Sequence, residues 1–215
     1  MEDKSLEERK QTLAEKLKAC ATNIERRKLE EITIILIDSS GSMAEYCKDG
    51  NTKMQAVKQS IPYLQARGSY VEYGMVGFDT EAHPIQHPIA NFSAILIQLD
   101  VIQPRDLTNI PGALMEGLKM FIERQAEKKR MILMSDGSNN CESNMMDHRI
   151  SDCVKEGVIV DTIAFGENAD VNLLKSIATR TGGVFQKVDS PLQLEEAYKK
   201  LNFQVRYLEH KNGGN

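Results

Sequence analysis

The sequence predicts an α/β domain built on a mostly parallel sheet with helices on both faces. Three observations carry that class. Short apolar runs of strand length alternate with segments of helical periodicity along most of the chain. The runs "ITIILI" (32–37) and "RMILMS" (130–135) are almost continuously apolar, the pattern of strands buried on both faces. No internal repeat or low-complexity linker interrupts the alternation, and 215 residues suffice to bury one sizeable core.

Each element has its own reason. Ser5 and Glu8 have capping-box spacing, and Leu6, Leu13, Leu17, Cys20 and Ile24 recur at helical intervals. They predict an amphipathic helix from about Ser5 to Arg27, whose apolar stripe must cover its own domain or a partner. After the strand at 32–37, "KMQAVKQSIPYLQA" (53–66) is helical in pattern, with Pro62 bending or ending it. "YVEYGMVGFD" (70–79) reads as a strand. "HPIQHPI" (83–89) reads as an edge strand, because an edge tolerates Pro84 and Pro88. Helices at 91–98 and 111–127 lead to the strand at 130–135. A helix near 147–156, a strand at 158–165, a helix near 170–181, the short strand "VFQKV" (184–188) and a helix near 191–202 complete the pattern. The organisation is an N-terminal helix (1–29), one α/β domain (30–208) and a flexible tail (209–215).

Composition narrows the function. A net charge of -4 supplies no basic field, so nucleic acid is not an expected partner. Cys20, Cys47, Cys141 and Cys153 include no Cys-x-x-Cys pair, which fits neither a zinc site nor a disulfide framework and points to a reducing compartment. The opening residues are too charged for a signal peptide, and no stretch approaches 18 apolar residues. The expectation is a cytoplasmic protein with no membrane partner.

In "ILIDSSGSM" an apolar strand stops at a carboxylate followed by small hydroxyl residues. Asp38 ends that strand, Asp136 follows "RMILMS", and Thr108 lies in the loop "RDLTNIPGAL". Open α/β sheets bind ligands beyond the carboxyl ends of their strands. Three loops thus bring carboxylates from Asp38 and Asp136, and hydroxyls from Ser40, Ser42 and Thr108, to one edge. Oxygen donors without His or Cys suit a hard divalent cation. The alternate spacing of Asp38, Ser40 and Ser42 lets a tight loop aim all three inward, with Gly41 permitting backbone conformations that a side chain would hinder. Two carboxylates roughly neutralise a dication and leave room for one anionic ligand from outside. Alone, the triplet is equally the pattern of an Asx or Ser turn at a strand end; the placement of Thr108 and Asp136 favours the cation.

On these residues the chain resembles the von Willebrand factor type A domain family. The family's metal-ion-dependent adhesion site has the pattern Asp-x-Ser-x-Ser, a Thr on a second loop and an Asp on a third, matched here by Asp38, Ser40, Ser42, Thr108 and Asp136. "VGFDTEA" (76–82), "LTNIPGAL" (107–114) and "SDG" (135–137) are also similar, so the resemblance covers about residues 31–202. It implies a Rossmann-like, doubly wound sheet with one antiparallel edge strand, holding Mg²⁺ or Mn²⁺ at its upper edge. It further implies a partner protein whose Glu or Asp completes the coordination, and no enzymatic activity. Cytosolic members of the family serve bacterial complexes, including those with MoxR-type AAA+ ATPases and stress operons, and the resemblance implies a partner of that kind.

Rival chemistry lacks its parts. An Asp ending the first strand also resembles haloacid-dehalogenase phosphatases, but their general acid, two residues on, is here Ser40. Neither a phosphate-binding Gly-x-x-x-x-Gly-Lys-Ser/Thr loop nor a Gly-x-Ser-x-Gly elbow occurs. His83 and His87 alternate with prolines and read as edge-strand residues rather than ligands. Cys47, Cys141, Met145 and Met146 fall in loops near the same edge, as packing or as a soft contact surface. A scaffold that works without metal, binding through its N-terminal helix, is the remaining alternative.

Overall fold

The computed structural model describes residues 29–65, 70–122 and 124–212, with side chains as far as residue 201. Within it six strands form one sheet: β1 (Glu31–Asp38), β2 (Val71–Phe78), β3 (Ala82–Ile89), β4 (Lys128–Ser135), β5 (Val158–Phe165) and β6 (Phe185–Val188). Their order is β3-β2-β1-β4-β5-β6. Every neighbouring pair is parallel except β2 and β3. The chain winds outward from β1 to one side, then returns beside it with β4 and winds to the other. The doubly wound sheet with one antiparallel edge strand is therefore as expected, and its switch point lies between β1 and β4.

Among the described residues six α-helices cover the sheet: α1 (Lys53–Ser60), α2 (Phe92–Gln98), α3 (Ile110–Lys119), α4 (Met146–Lys155), α5 (Val171–Thr181) and α6 (Pro191–Asn212). The period-2 alternation of β1 feeds both faces. Ile35 and Ile37 join one core with Val57 of α1, Ile95 of α2 and Tyr198 of α6. Ile34 and Leu36 join the other with Leu114 of α3, Ile150 of α4 and Ile177 of α5. Each such side chain, taken fully from water, contributes about 1.5–3 kcal/mol. This two-sided burial is why the strand reads as an almost continuous apolar run, broken by the buried Thr33, and it makes β1 a rigid mount for whatever its last residue carries.

Element ends differ from expectation for identifiable reasons. α1 stops at Ser60 and the chain tightens into a 3₁₀ turn, Ile61–Leu64, because Pro62 has no N–H to continue an α-helix. α3 ends at Lys119 rather than near 127: the N–H groups of Met120, Phe121 and Ile122 turn to carbonyls three residues back. α6 is longer than expected and continues to Asn212, the last described residue. The predicted N-terminal helix and the last three residues of the tail lie outside the described residues.

Tyr198 of α6 is fully buried, and its hydroxyl has no hydrogen-bond partner among the described residues. An unsatisfied buried hydroxyl costs about 1–3 kcal/mol. Tyr198→Phe should therefore raise stability by about 1 kcal/mol or more, read from the urea midpoint. A lowered midpoint would show that the hydroxyl is satisfied after all.

Candidate metal centre

Asp38 is the last residue of β1, and Ser135 and Asp136 stand at the end of the adjacent β4. Both aspartates are fully buried. One oxygen of Asp38, Oδ1, accepts the Ser40 N–H at 2.8 Å, and Oδ2 accepts from the Ser135 hydroxyl. The turn that the sequence allowed as a bland alternative thus exists, and it shapes the loop. Burial pushes the Asp38 carboxyl up to about 6, against the lowering effect of its Ser135 and Ser40 hydrogen bonds; the nearby Asp136 charge adds to the rise. Among the described residues no lysine or arginine pairs with Asp38.

The loop then forms a 3₁₀ turn, Gly41–Ala44, anchored by the buried Met43. Ser40 Oγ lies 3.1 Å from Ser42 Oγ, and the Ser42 hydroxyl donates to Asp136 Oδ1 at 2.8 Å. Asp38, Ser40, Ser42 and Asp136 are therefore linked from strand to strand. Gly41 does not have a positive φ, contrary to the role expected of it. Its N–H instead donates to the Asp106 carbonyl at 3.1 Å, where an added Cβ would sit 3.5 Å from that oxygen.

Thr108 reaches the same place from the loop before α3. Its N–H donates to Asn140 Oδ1 at 2.8 Å, and the Asn140 N–H returns a bond to the Thr108 carbonyl at 3.1 Å. Asn139 Oδ1 accepts from the Ile110 N–H. Asp106, two residues earlier, takes a left-handed conformation (φ 57°), one that aspartate tolerates better than most residues. Gly137 shows the convergence: a Cβ there would lie 3.6 Å from both Ser42 Oγ and Thr108 Oγ1. The five residues singled out in the sequence meet at one end of the sheet.

Their chemistry fits a hard divalent cation. The donors are all oxygen, two are buried carboxylates on adjacent strands, and one of these carboxylates lacks an ion-pair partner among the described residues. No group of three or more His, Cys, Asp and Glu placed to hold a metal occurs among those residues, so an ion held here would depend on the three hydroxyls as well as the two carboxylates. His83 and His87 are exposed on β3. Cys153 is buried, its thiol pushed up to about 12, and burial and the Asp49 charge also raise that of Cys47. Neither is an activated thiolate.

Sequence reasoning missed Lys53. Its ammonium reaches across the site and donates to Asp136 Oδ2 and to Glu45 Oε2, each at 2.6 Å. Burial disfavours its charge, but the bonds to Asp136 and Glu45 outweigh that and raise its pKa. At the start of α1, beside the Thr52–Gln55 capping box, a lysine reads as an ordinary solvated residue. Ser135, Asn139 and Asn140 were missed as well, although Ser135 stands next to Asp136 in the motif.

A doubly wound sheet with an oxygen-rich site at its switch point is the architecture of a ligand-binding module. Residues 33–139 match the family model of the von Willebrand factor type A domain, and the chain belongs to that family through this part of its length. Domains of this family mediate protein–protein interactions. Among solved structures, the chain is 21% identical to a von Willebrand factor type A protein from Catenulispora acidiphila, with TM-score 0.70, covering 80% of this chain and 42% of that one. It is 18% identical to an aerotolerance-related membrane protein from Bacteroides fragilis, with TM-score 0.70, covering 83% and 99%. It is 15% identical to the PilB minor pilin from Streptococcus sanguinis, with TM-score 0.70, covering 88% and 64%. At these identities the likeness is one of fold, and the chain spans less than half of the first of these proteins. No curated protein sequence matches the chain. No helix among the described residues is long and apolar enough to cross a membrane.

Proposed function

We propose that the domain binds Mg²⁺ or Mn²⁺ through Asp38, Ser40, Ser42, Thr108 and Asp136 and uses the ion to take a Glu or Asp carboxylate from a partner protein. The observation that carries this reading is the meeting of two buried carboxylates and three hydroxyls at the switch point, with Asp38 left without a cation among the described residues. Two carboxylates and three hydroxyls leave a hard six-coordinate ion one position for an external ligand. The module acts as an adaptor rather than an enzyme, since Asp38 has Ser40 where a phosphatase would need its proton donor. Cys47, Cys141 and Cys153 are free, which suits the reducing cytoplasm. A bacterial stress-response or AAA+ ATPase-linked complex is the setting we favour.

A second reading has one observation in its favour. Lys53 already supplies a cation to Asp136, so the fold could stand as a metal-free scaffold that binds through its N-terminal segment. Thermal denaturation separates the two. A ligand that binds only the folded state at a hundred times its Kd adds about 2.7 kcal/mol, which for a chain of this size is roughly 5–10 °C in Tm. We expect such a rise with millimolar Mg²⁺ or Mn²⁺. A Tm indifferent to both ions favours the scaffold.

Partner capture gives the complementary result. Thr108→Ala and EDTA should each release the partner from a domain that stays folded, whereas moderate salt should matter less, because a direct metal–oxygen bond is screened less than separated surface charges. If deletion of residues 1–29 alone abolishes capture while EDTA and Thr108→Ala leave it intact, recognition does not pass through the metal.

A further inference from the structure

We propose that Lys53 is a resident counter-cation of this site, standing in for part of the metal's charge and thereby setting how tightly the ion is held. The inference rests on the metal-binding reading above and deepens it. Lys53 is 8% exposed, and its ammonium bonds Asp136 on the oxygen that Ser42 does not use: Oδ1 accepts from Ser42, Oδ2 from Lys53. Its other ion pair is with Glu45, a half-exposed carboxylate at the end of the 3₁₀ turn. The Lys53 N–H also donates to the Glu45 carbonyl at 2.9 Å, which holds the start of α1 against the metal loop. From the far side, Gly166 after β5 comes close enough that a Cβ there would lie 3.7 Å from Lys53 Cε and 3.9 Å from Nζ. The lysine is enclosed and cannot swing freely into solvent.

The charges then decide the consequence. Asp38 and Asp136 bring two negative charges to the site, and Lys53, shared with the half-exposed Glu45, offsets part of one of them. An incoming dication meets an Asp136 that is already half committed and a fixed positive charge beyond it. Two cations sharing one carboxylate in a partly desolvated site oppose each other more strongly than they would in water. The resident ammonium thus keeps the site assembled before the ion arrives, at the cost of a weaker hold on it. An exchangeable ion, and hence a reversible partner, is the functional result.

Calorimetric titration of the full chain with Mn²⁺ tests this, comparing wild type with Lys53→Met and Lys53→Arg. Removing one nearby unit charge should tighten Mn²⁺ binding in Lys53→Met by at least about tenfold. Lys53→Arg, which keeps the charge, should stay near wild type. The Mn²⁺-induced rise in Tm should be larger in Lys53→Met than in wild type, and a Lys53→Met protein that folds only when Mn²⁺ is present also supports the proposal. If wild type binds and Lys53→Met binds equally or more weakly, Lys53 merely positions Asp136 and the inference fails while the metal reading stands. If Lys53→Met binds Mn²⁺ and wild type does not, the counter-cation role holds and the metal reading fails for the native chain. If neither binds, both fail.

Discussion

Gly183→Ala should leave little or no folded protein, the largest effect we expect of any conservative change in this chain. Gly183 lies between α5 and β6, where the chain runs hard against β5. A Cβ at this position would stand 2.1 Å from the Val160 carbonyl oxygen and 2.6 Å from its carbon. Both are backbone atoms of a strand that is paired with β4 at Val160 and with β6 from Thr162 onward, so neither can move aside without disturbing the sheet. The turn cannot retreat either. Asp161 Oδ1 accepts from the Val184 N–H at 2.7 Å, the Val160 N–H donates to Thr181 Oγ1 at 3.1 Å, and the Gly183 N–H is held by the Ala178 carbonyl at 2.8 Å. The loss should exceed about 4 kcal/mol, the exceptional end of single substitutions. Gly182 is the control: it caps α5 with φ 77° and has open space around it, so Gly182→Asn should cost only about 1 kcal/mol. A soluble Gly183→Ala protein with an unchanged urea midpoint would falsify the close-approach argument.

The second large effect is functional. Asp38→Asn should abolish the Tm rise with Mg²⁺ or Mn²⁺, and with it metal-dependent partner capture, while the domain stays folded. Asparagine keeps the shape of the side chain and an oxygen to accept from the Ser40 N–H. It removes a charge that burial and Asp136 both disfavour in the ion-free state. Without metal, the variant should therefore melt no lower than wild type by more than about 2 °C, a shift of under about 1 kcal/mol. Asp38→Ala is the harsher test, because Ser135 Oγ and the Ser40 N–H lose their acceptor. An Asp38→Asn protein that still gains the full Mg²⁺ stabilisation would show that the ion, if bound, sits elsewhere.

Most of this architecture was legible because burial writes itself into residue pattern. β1 feeds two cores, so it is apolar over most of its length, and the halt at Asp38 stood out against that run. Pro84 and Pro88 marked β3 as an outer strand, which it is. Helix ends were less legible: whether the chain after Lys119 continues as α-helix or tightens is decided by which carbonyl each N–H finds, not by the pattern of apolar residues. At the site, the oxygen donors were visible because they cluster in short motifs at strand ends. Lys53 was not, because its partner is Asp136, far away along the chain and brought beside it only by the sheet order. A charged residue acquires its meaning from its neighbour, and single-sequence reading supplies neighbours only within one element.

The two margins of the sheet limit how a partner can approach. On one side β3 is the outermost strand, and Pro84 and Pro88 leave gaps in its row of backbone donors. On the other, β6 is only four residues long. Neither offers the continuous ladder that an extended segment needs in order to add itself as a seventh strand, whether it comes from another protein or from a second copy of this chain. Lateral growth of the sheet is thus discouraged at both ends, which guards against edge-to-edge aggregation. Strand addition is therefore a poor route for recruiting a partner to this sheet.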